Sequence, residues 1–221
     1  MNAKRVDKIA TAVIYLLVGI VILILVALLG FILITGLPHV TWSFLTSPAS
    51  AFNAGGGIGD QLFNSFYLLF LTLLISFPIS LGAGIYLAEY AKKNRVTEAI
   101  RITIEVLSSL PSVVVGLFGF LLFVVQFKLG FSIISGAIAL TFFNLPLLTR
   151  NIENSLNGVS NLQREAGLSL GLSRWKTVTK VVVPAALPGI ITGIILSAGR
   201  VFGEAAALIF TAGQSAPVLN Y

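Results

Sequence analysis

Long apolar runs separated by short charged loops constrain this chain more than any other feature of its sequence. The first run, Ile9 to Ile34, contains no charged residue. About 20 apolar residues cross the hydrocarbon of a bilayer, so this run predicts a transmembrane anchor and is too long for a signal-peptide core. Four later runs predict further spans. These are Leu62–Ala88, Ile102–Phe127, Ile133–Leu148 and Leu187–Thr211, and the run from Ser108 through Pro111 to Ser112 is expected to break the second of them.

The composition agrees with a core built against lipid. Of the 221 residues, 57% are hydrophobic and 10% charged, which predicts an all-α, polytopic membrane protein. The net charge of +6 lies in short loops and forms no basic face with interleaved aromatic residues, so nucleic acid is not predicted as a partner. With no cysteine and a single histidine, no disulfide, thiolate chemistry, metal site or cofactor is predicted.

Charge asymmetry predicts the topology. Lys4, Arg5 and Lys8 precede the first span, and no lysine or arginine lies between Gly36 and Gln61. By the positive-inside rule, the N-terminus is expected to be cytoplasmic. The chain is expected in the cytoplasmic (inner) membrane. Five spans put the C-terminus outside, which predicts that a sixth span is missing. Residues 1–61 are expected to form an anchor with an external loop, and 62–221 a transmembrane domain with a cytoplasmic loop at 150–184.

The stretch from Arg164 to Pro184 is a polar island between apolar runs. Residues from Glu165 to Leu170 suit a short helix, which Gly171 can end because glycine enters the left-handed region cheaply. Ser173 is a good N-cap for a second, amphipathic helix. The pattern predicts a helix, a glycine joint and another helix.

Two charges fall in the middle of the fifth predicted span. Arg200 and Glu204 are four residues apart and are expected on one helical face, turned away from lipid because ionised groups are costly there. Either they form a structural ion pair, or Arg200 offers its charge to a passing anion while Glu204 limits the affinity. Arg150, at the end of the fourth span, either snorkels to the headgroups or adds a second cationic step, and Asn144 could line the same pathway.

The spacing of Glu165, Ala166, Gly167 and Gly171 with the closing Val181-x-Val183-Pro184 resembles the EAA loop of ABC importer permeases. In that family the loop forms a coupling helix that seats in a groove of the ATPase subunit. The resemblance implies that Glu165, Ala166, Gly167 and Gly171 couple the chain to ATP hydrolysis. The family often has alanine where this chain has Gly167.

Three further stretches resemble the permease subunit of bacterial phosphate-specific ABC importers, the PstA type: 107–119, 149–153 and 199–213. The resemblance implies a type I importer permease fold and assigns the family's intramembrane arginines to Arg150 and Arg200. It also implies several partners. These are an ABC ATPase dimer, a second PstC-like permease or another copy, an extracytoplasmic phosphate-binding protein and membrane lipid.

Other functions stay open at this point. Sulfate or molybdate would need much the same cationic pathway, and a channel or scaffold would need no ATPase. An intramembrane enzyme would need a nucleophile or metal cluster, which the scattered acids do not offer, so no catalytic residue is predicted. The glycine run at 55–57 lacks the lysine and hydroxyl residue of a phosphate-binding loop. Any ATP hydrolysis is therefore expected on another chain.

Overall fold

The computed structural model describes residues 3–49, 56–92 and 94–213, and the regular secondary structure of these residues is helical throughout. The chain divides into two compact units, Met1–Asp60 and Gln61–Tyr221. The α-helices are α1 Ala3–Gly36, α2 Trp42–Thr46, α3 Gly59–Ile85, α4 Arg95–Ser109, α5 Ser112–Gly119, α6 Ile133–Asn157, α7 Asn161–Ser169, α8 Arg174–Thr177, α9 Val183–Phe202 and α10 Ala206–Thr211.

Three π-helical segments lengthen these helices. Tyr86–Tyr90 extends α3, Phe120–Gln126 extends α5, and Val178–Val182 joins α8 to α9 in one continuous rod. Four rods of 25 to 34 residues are long and apolar enough to cross a membrane, and the bent pair of α4 and α5 makes a fifth span if counted as one. The prediction of a polytopic α-helical membrane protein is therefore confirmed, with four spans, or five if the bent pair is one span.

The first unit is dominated by α1, whose apolar side chains are exposed along the helix, as expected for a helix surrounded by lipid. A short 3-10 turn, Leu37–His39, follows it. The side chain of Thr41 then caps α2 by accepting a hydrogen bond from the Phe44 backbone.

The second unit is built around α6, which lies at its centre. Leu148, Ile152 and Leu156 of α6 are completely buried against Val182 and Ile190 from the rod that contains α9. Small residues let other helices approach α6 closely. A Cβ on Gly84 of α3 would lie only 2.6 Å from the Ile152 side chain. Gly189 and Gly193 of α9 also lie closely against α6. Such close contacts are how helices associate in lipid, where the hydrophobic effect does not drive them together.

The third predicted span is broken where expected, but its first half runs in another direction. Leu110 is extended, as the residue before a proline usually is, and Pro111 is the N-cap residue of α5. The bend between α4 and the α5 rod is 98°. The first helix begins at Arg95, seven residues earlier than predicted, because the Asn94 side chain caps it by accepting from the Thr97 backbone.

The boundaries of the fourth and fifth spans were wrong. Helix α6 continues to Asn157, nine residues beyond the predicted end of the fourth span, so Arg150 lies within this helix. The last predicted span is two helices, because α9 ends at Phe202 and the carboxylate of Glu204 accepts a hydrogen bond from the backbone of Ala207, at 3.2 Å, in the first turn of α10. Arg200 and Glu204 therefore do not share a helical face.

Candidate functional site

The hairpin formed by α7 and α8 has the predicted local structure. Gly171 adopts φ +75°, the left-handed conformation that glycine tolerates best, directly after α7. Its neighbour Leu172 donates its backbone N–H to the carbonyl of Gly167 at 3.2 Å, which closes the end of the helix. Ser173 then caps α8 by accepting a hydrogen bond from the backbone of Lys176. The first helix and the glycine joint are confirmed, whereas the second helix is not a separate short helix but the start of the continuous rod that contains α9.

The outer surface of this hairpin is unusually apolar for a loop between membrane helices. Leu170 is 82% exposed and Trp175 61% exposed, with Leu162 and Leu168 also exposed. Glu165 and Ala166 are exposed on the same helix, α7. We call this set the hairpin surface. Exposed apolar side chains of this kind are suited to contact with another protein or with a membrane.

On the inner surface of the hairpin, a glycine allows the two helices to pack closely. Gly167 is buried, and a Cβ at this position would lie 2.7 Å from the methyl group of Thr177, the last residue of α8. This glycine therefore lets α7 lie directly against α8. The family that this chain resembles often has alanine at this position. Here the methyl group of Thr177 lies where the Cβ of an alanine would be crowded.

Arg200 is held near the bend between α4 and α5. Its guanidinium lies 3.9 Å from the centre of the Phe143 ring, and its Nη2 donates to the carbonyl of Ser108 at 3.4 Å. Within the described part of the chain it forms no ion pair with Glu204 at the 4.0 Å limit, so the expected pair is not present. The ring attracts the guanidinium group without neutralising its charge.

Arg150 also reaches α4. Its Nη2 lies 3.9 Å from Oε2 of Glu105, and the two side chains are 38% and 71% exposed, so the pair is loose. Exposed ion pairs of this kind contribute little to stability. Both predicted pathway arginines thus contact the last turns of α4.

Asn144 is in a different environment. It is fully buried on α6, where its side-chain nitrogen donates to Ser76 of α3 at 3.2 Å and its oxygen accepts from Ser197 of α9. The amide therefore ties three helices together in this conformation.

Two ion pairs at the hairpin end of the bundle escaped the sequence prediction. Arg164 pairs with Glu89, and Arg101 pairs with Glu153, with 2.9 and 2.7 Å between charged atoms. The partners are 75 and 52 residues apart in sequence, so no local spacing reveals them. The one available signal was the presence of acids among the basic residues of these loops.

Fold and hairpin together define a multi-pass helical membrane protein with an exposed, glycine-jointed hairpin at one end of its bundle. A family described as "binding-protein-dependent transport system inner membrane component" matches residues 80–220. The chain belongs to this family of inner-membrane transport components. It is a multi-pass subunit of a transporter and not an enzyme.

Several relatives of this chain are named as transporter permeases. The "probable ABC transporter permease protein YqgI" of Bacillus subtilis is 53% identical over 221 residues, which is 100% of this chain and 75% of the relative. "Phosphate transport system permease protein PstA" is 38% identical over 183 residues in Haemophilus influenzae, covering 82% of this chain and 64% of the relative. The protein of the same name in Xylella fastidiosa strain Temecula1 is 37% identical over 177 residues, covering 80% and 62%. The chain therefore spans less than two thirds of these two PstA proteins.

Two solved structures share the fold. They are crystal forms of the MetNI methionine ABC transporter in inward-facing conformations, with TM-scores of 0.55 and 0.58. The matches cover 66% and 71% of this chain and 68% and 74% of the matched chains, at 20% and 21% identity. The importer permease fold is thereby confirmed.

Proposed function

We propose that this chain is the permease subunit of an ATP-driven importer of inorganic phosphate, with ATP hydrolysed on a separate subunit. The relatives named as phosphate permeases support the substrate, since they share 37–38% identity over about four fifths of the chain. The observation that supports energy coupling is the glycine-jointed hairpin with its exposed apolar surface. Residues 62–221 form the transport domain in this proposal, and 1–61 the anchor with its external loop.

The hairpin surface is the contact for an ABC ATPase dimer. Glu165 and Ala166 are exposed on it, while Gly167 and Gly171 give the hairpin its shape. Basic residues are concentrated in the loops at this end of the bundle, whereas the turn after the α5 rod carries the single Lys128. This asymmetry favours a cytoplasmic hairpin and a cytoplasmic N-terminus.

Arg200 and Arg150 are the anion contacts of the pathway. A divalent or monovalent phosphate needs compensating cations in a low-dielectric passage, and within the described residues no carboxylate lies closer than 3.9 Å to either guanidinium group. Glu204, close in sequence to Arg200, limits how tightly the anion is held. Asn144 supports this region by joining the helices that carry it.

Three further partners complete the transporter. A second permease, PstC-like or another copy of this chain, provides the other half of the passage. An extracytoplasmic phosphate-binding protein delivers the anion. Lipid surrounds α1, whose side chains are exposed along its length.

Phosphate uptake by the assembled transporter in proteoliposomes tests the proposal. We expect uptake of labelled phosphate, with sulfate and molybdate as poor competitors, and loss of uptake in R200Q. The matched control is R95Q, because Arg95 is an exposed arginine on α4. Sulfate uptake in place of phosphate would contradict the substrate, and normal phosphate uptake by R200Q would contradict the role of Arg200.

A further inference from the structure

Arginines from three other helices converge on the π-helical turn that ends α3, Tyr86–Tyr90. They are Arg101 of α4, Arg164 of α7 and Arg174 of α8. We call the turn with these three arginines the arginine clamp. π-helical turns are uncommon and often lie at functional positions, and this one is the meeting point of four helices.

The strongest contact in the clamp is the ion pair of Arg164 with Glu89. Both Nε and Nη2 of Arg164 lie 2.9 Å from Oε1 of Glu89, and the side chains are only 19% and 8% exposed. The same guanidinium donates to the carbonyl of Leu156 at 2.7 Å and to that of Val159. Arg164 thus joins the coupling hairpin both to the end of α3 and to the end of α6.

Arg174 strengthens the same connection from the second helix of the hairpin. It donates to the backbone carbonyl of Glu89, and its guanidinium lies 5.0 Å from the centre of the Tyr90 ring. Both helices of the hairpin therefore hold the turn at the end of α3.

Arg101 extends the connection to α4. Its Nη2 donates to the carbonyl of Leu87 in the same turn at 3.1 Å, while its Nε donates to the buried carboxylate of Glu153 at 2.7 Å. The far end of α4 contacts the two pathway arginines through Glu105 and the Ser108 carbonyl. The clamp and the pathway arginines thus contact the same helix, α4, at different points along its length.

We propose that the arginine clamp is the joint that transmits displacement of the hairpin to α3 and α4, with Glu89 as its positioning residue. This inference rests on the proposed function. A buried ion pair resists separation because removing or withdrawing one partner leaves an uncompensated charge in a poor solvent. The turn at the end of α3 therefore follows the hairpin when a partner moves it, and α4 follows the turn through Arg101.

The test is E89Q in the transporter assembled with its ATPase and binding protein. ATP hydrolysis is measured with and without the phosphate-loaded binding protein. We expect E89Q to keep its unstimulated ATP hydrolysis but to lose roughly tenfold in stimulation, inside the range of about 5–150-fold that coupling between sites usually spans. The matched control is E98Q, an exposed acid on α4, which should be stimulated like wild type. E89D, which keeps the charge, should recover most of the stimulation.

A second substitution covers the case in which E89Q does not accumulate in the membrane. R164K keeps the charge but not the guanidinium fork that reaches Glu89 and the carbonyls of α6 together, so it should also lose stimulation. The double variant E89Q/R164K should lose no more than the worse single variant, because both changes break one joint.

The outcomes separate the inference from the function on which it rests. If the loaded binding protein stimulated ATP hydrolysis by E89Q and R164K as much as by wild type, the role of the clamp would be overturned and the proposed function would stand. A wild-type complex that the loaded binding protein does not stimulate would overturn the proposed function and the clamp with it. Additive losses in the double variant would also overturn the single joint.

Discussion

Replacing Gly171 by alanine should loosen the hairpin without any steric clash. The residue has φ +75°, a conformation that costs a residue with a side chain about 1–2 kcal/mol. A Cβ at this position has no heavy atom within 4 Å, so the penalty is purely conformational. A cost of this size corresponds to a change of roughly 5–30-fold in a local equilibrium.

Hydrogen exchange measures that change directly. In G171A, the amides of Gly171 and Leu172, which bond back to Leu168 and Gly167 at 3.0 and 3.2 Å, should exchange roughly 5–30-fold faster than in wild type. Stimulation of ATP hydrolysis by the loaded binding protein should fall with it, because the hairpin surface is no longer held in one shape.

The matched control is G82A. Gly82 lies inside α3, where a Cβ would also have no heavy atom within 4 Å, so alanine there should be neutral or stabilising by up to about 1 kcal/mol. If G171A and G82A had the same effect on amide exchange in the hairpin and on stimulation of ATP hydrolysis, the glycine joint would have no special role and this reasoning would be refuted.

Two other substitutions test packing. G167A should reduce both stability and stimulated ATP hydrolysis, because its Cβ would lie 2.7 Å from the Thr177 methyl. The double variant G167A/T177S removes that methyl and should restore both properties. Failure of this rescue would contradict the contact. N144A should lower the free energy of unfolding in detergent by about 1–2 kcal/mol by removing the amide between Ser76 and Ser197, as followed by thermal denaturation, and an unchanged midpoint would contradict its structural role.

Features encoded by neighbouring residues could be predicted from the sequence. The apolar runs predicted the spans because a bilayer requires about 20 apolar residues. The hairpin followed from Gly171 and Ser173, whose effects on the backbone are local. The break at Pro111 followed for the same reason, although its 98° angle was not predicted.

Contacts between distant residues could not be predicted. The sequence prediction carried the last span through Gly203, the C-cap residue of α9, and so missed the turn in which the Glu204 carboxylate accepts a hydrogen bond from the Ala207 backbone. The expectation of an Arg200–Glu204 pair failed because it assumed an uninterrupted helix. Likewise, Arg164 and Glu89 are 75 residues apart, and only the fold brings them together.

The central claim is that the glycine-jointed hairpin faces the cytoplasm and there receives the ATPase. The chain contains no cysteine, so W175C introduces its one thiol, at a position that is 61% exposed on the hairpin surface. A membrane-impermeant maleimide should label W175C in inside-out vesicles but not in intact cells, and bound ATPase subunit should block the labelling. Labelling of W175C in intact cells, or labelling that the ATPase leaves unchanged, would contradict the account.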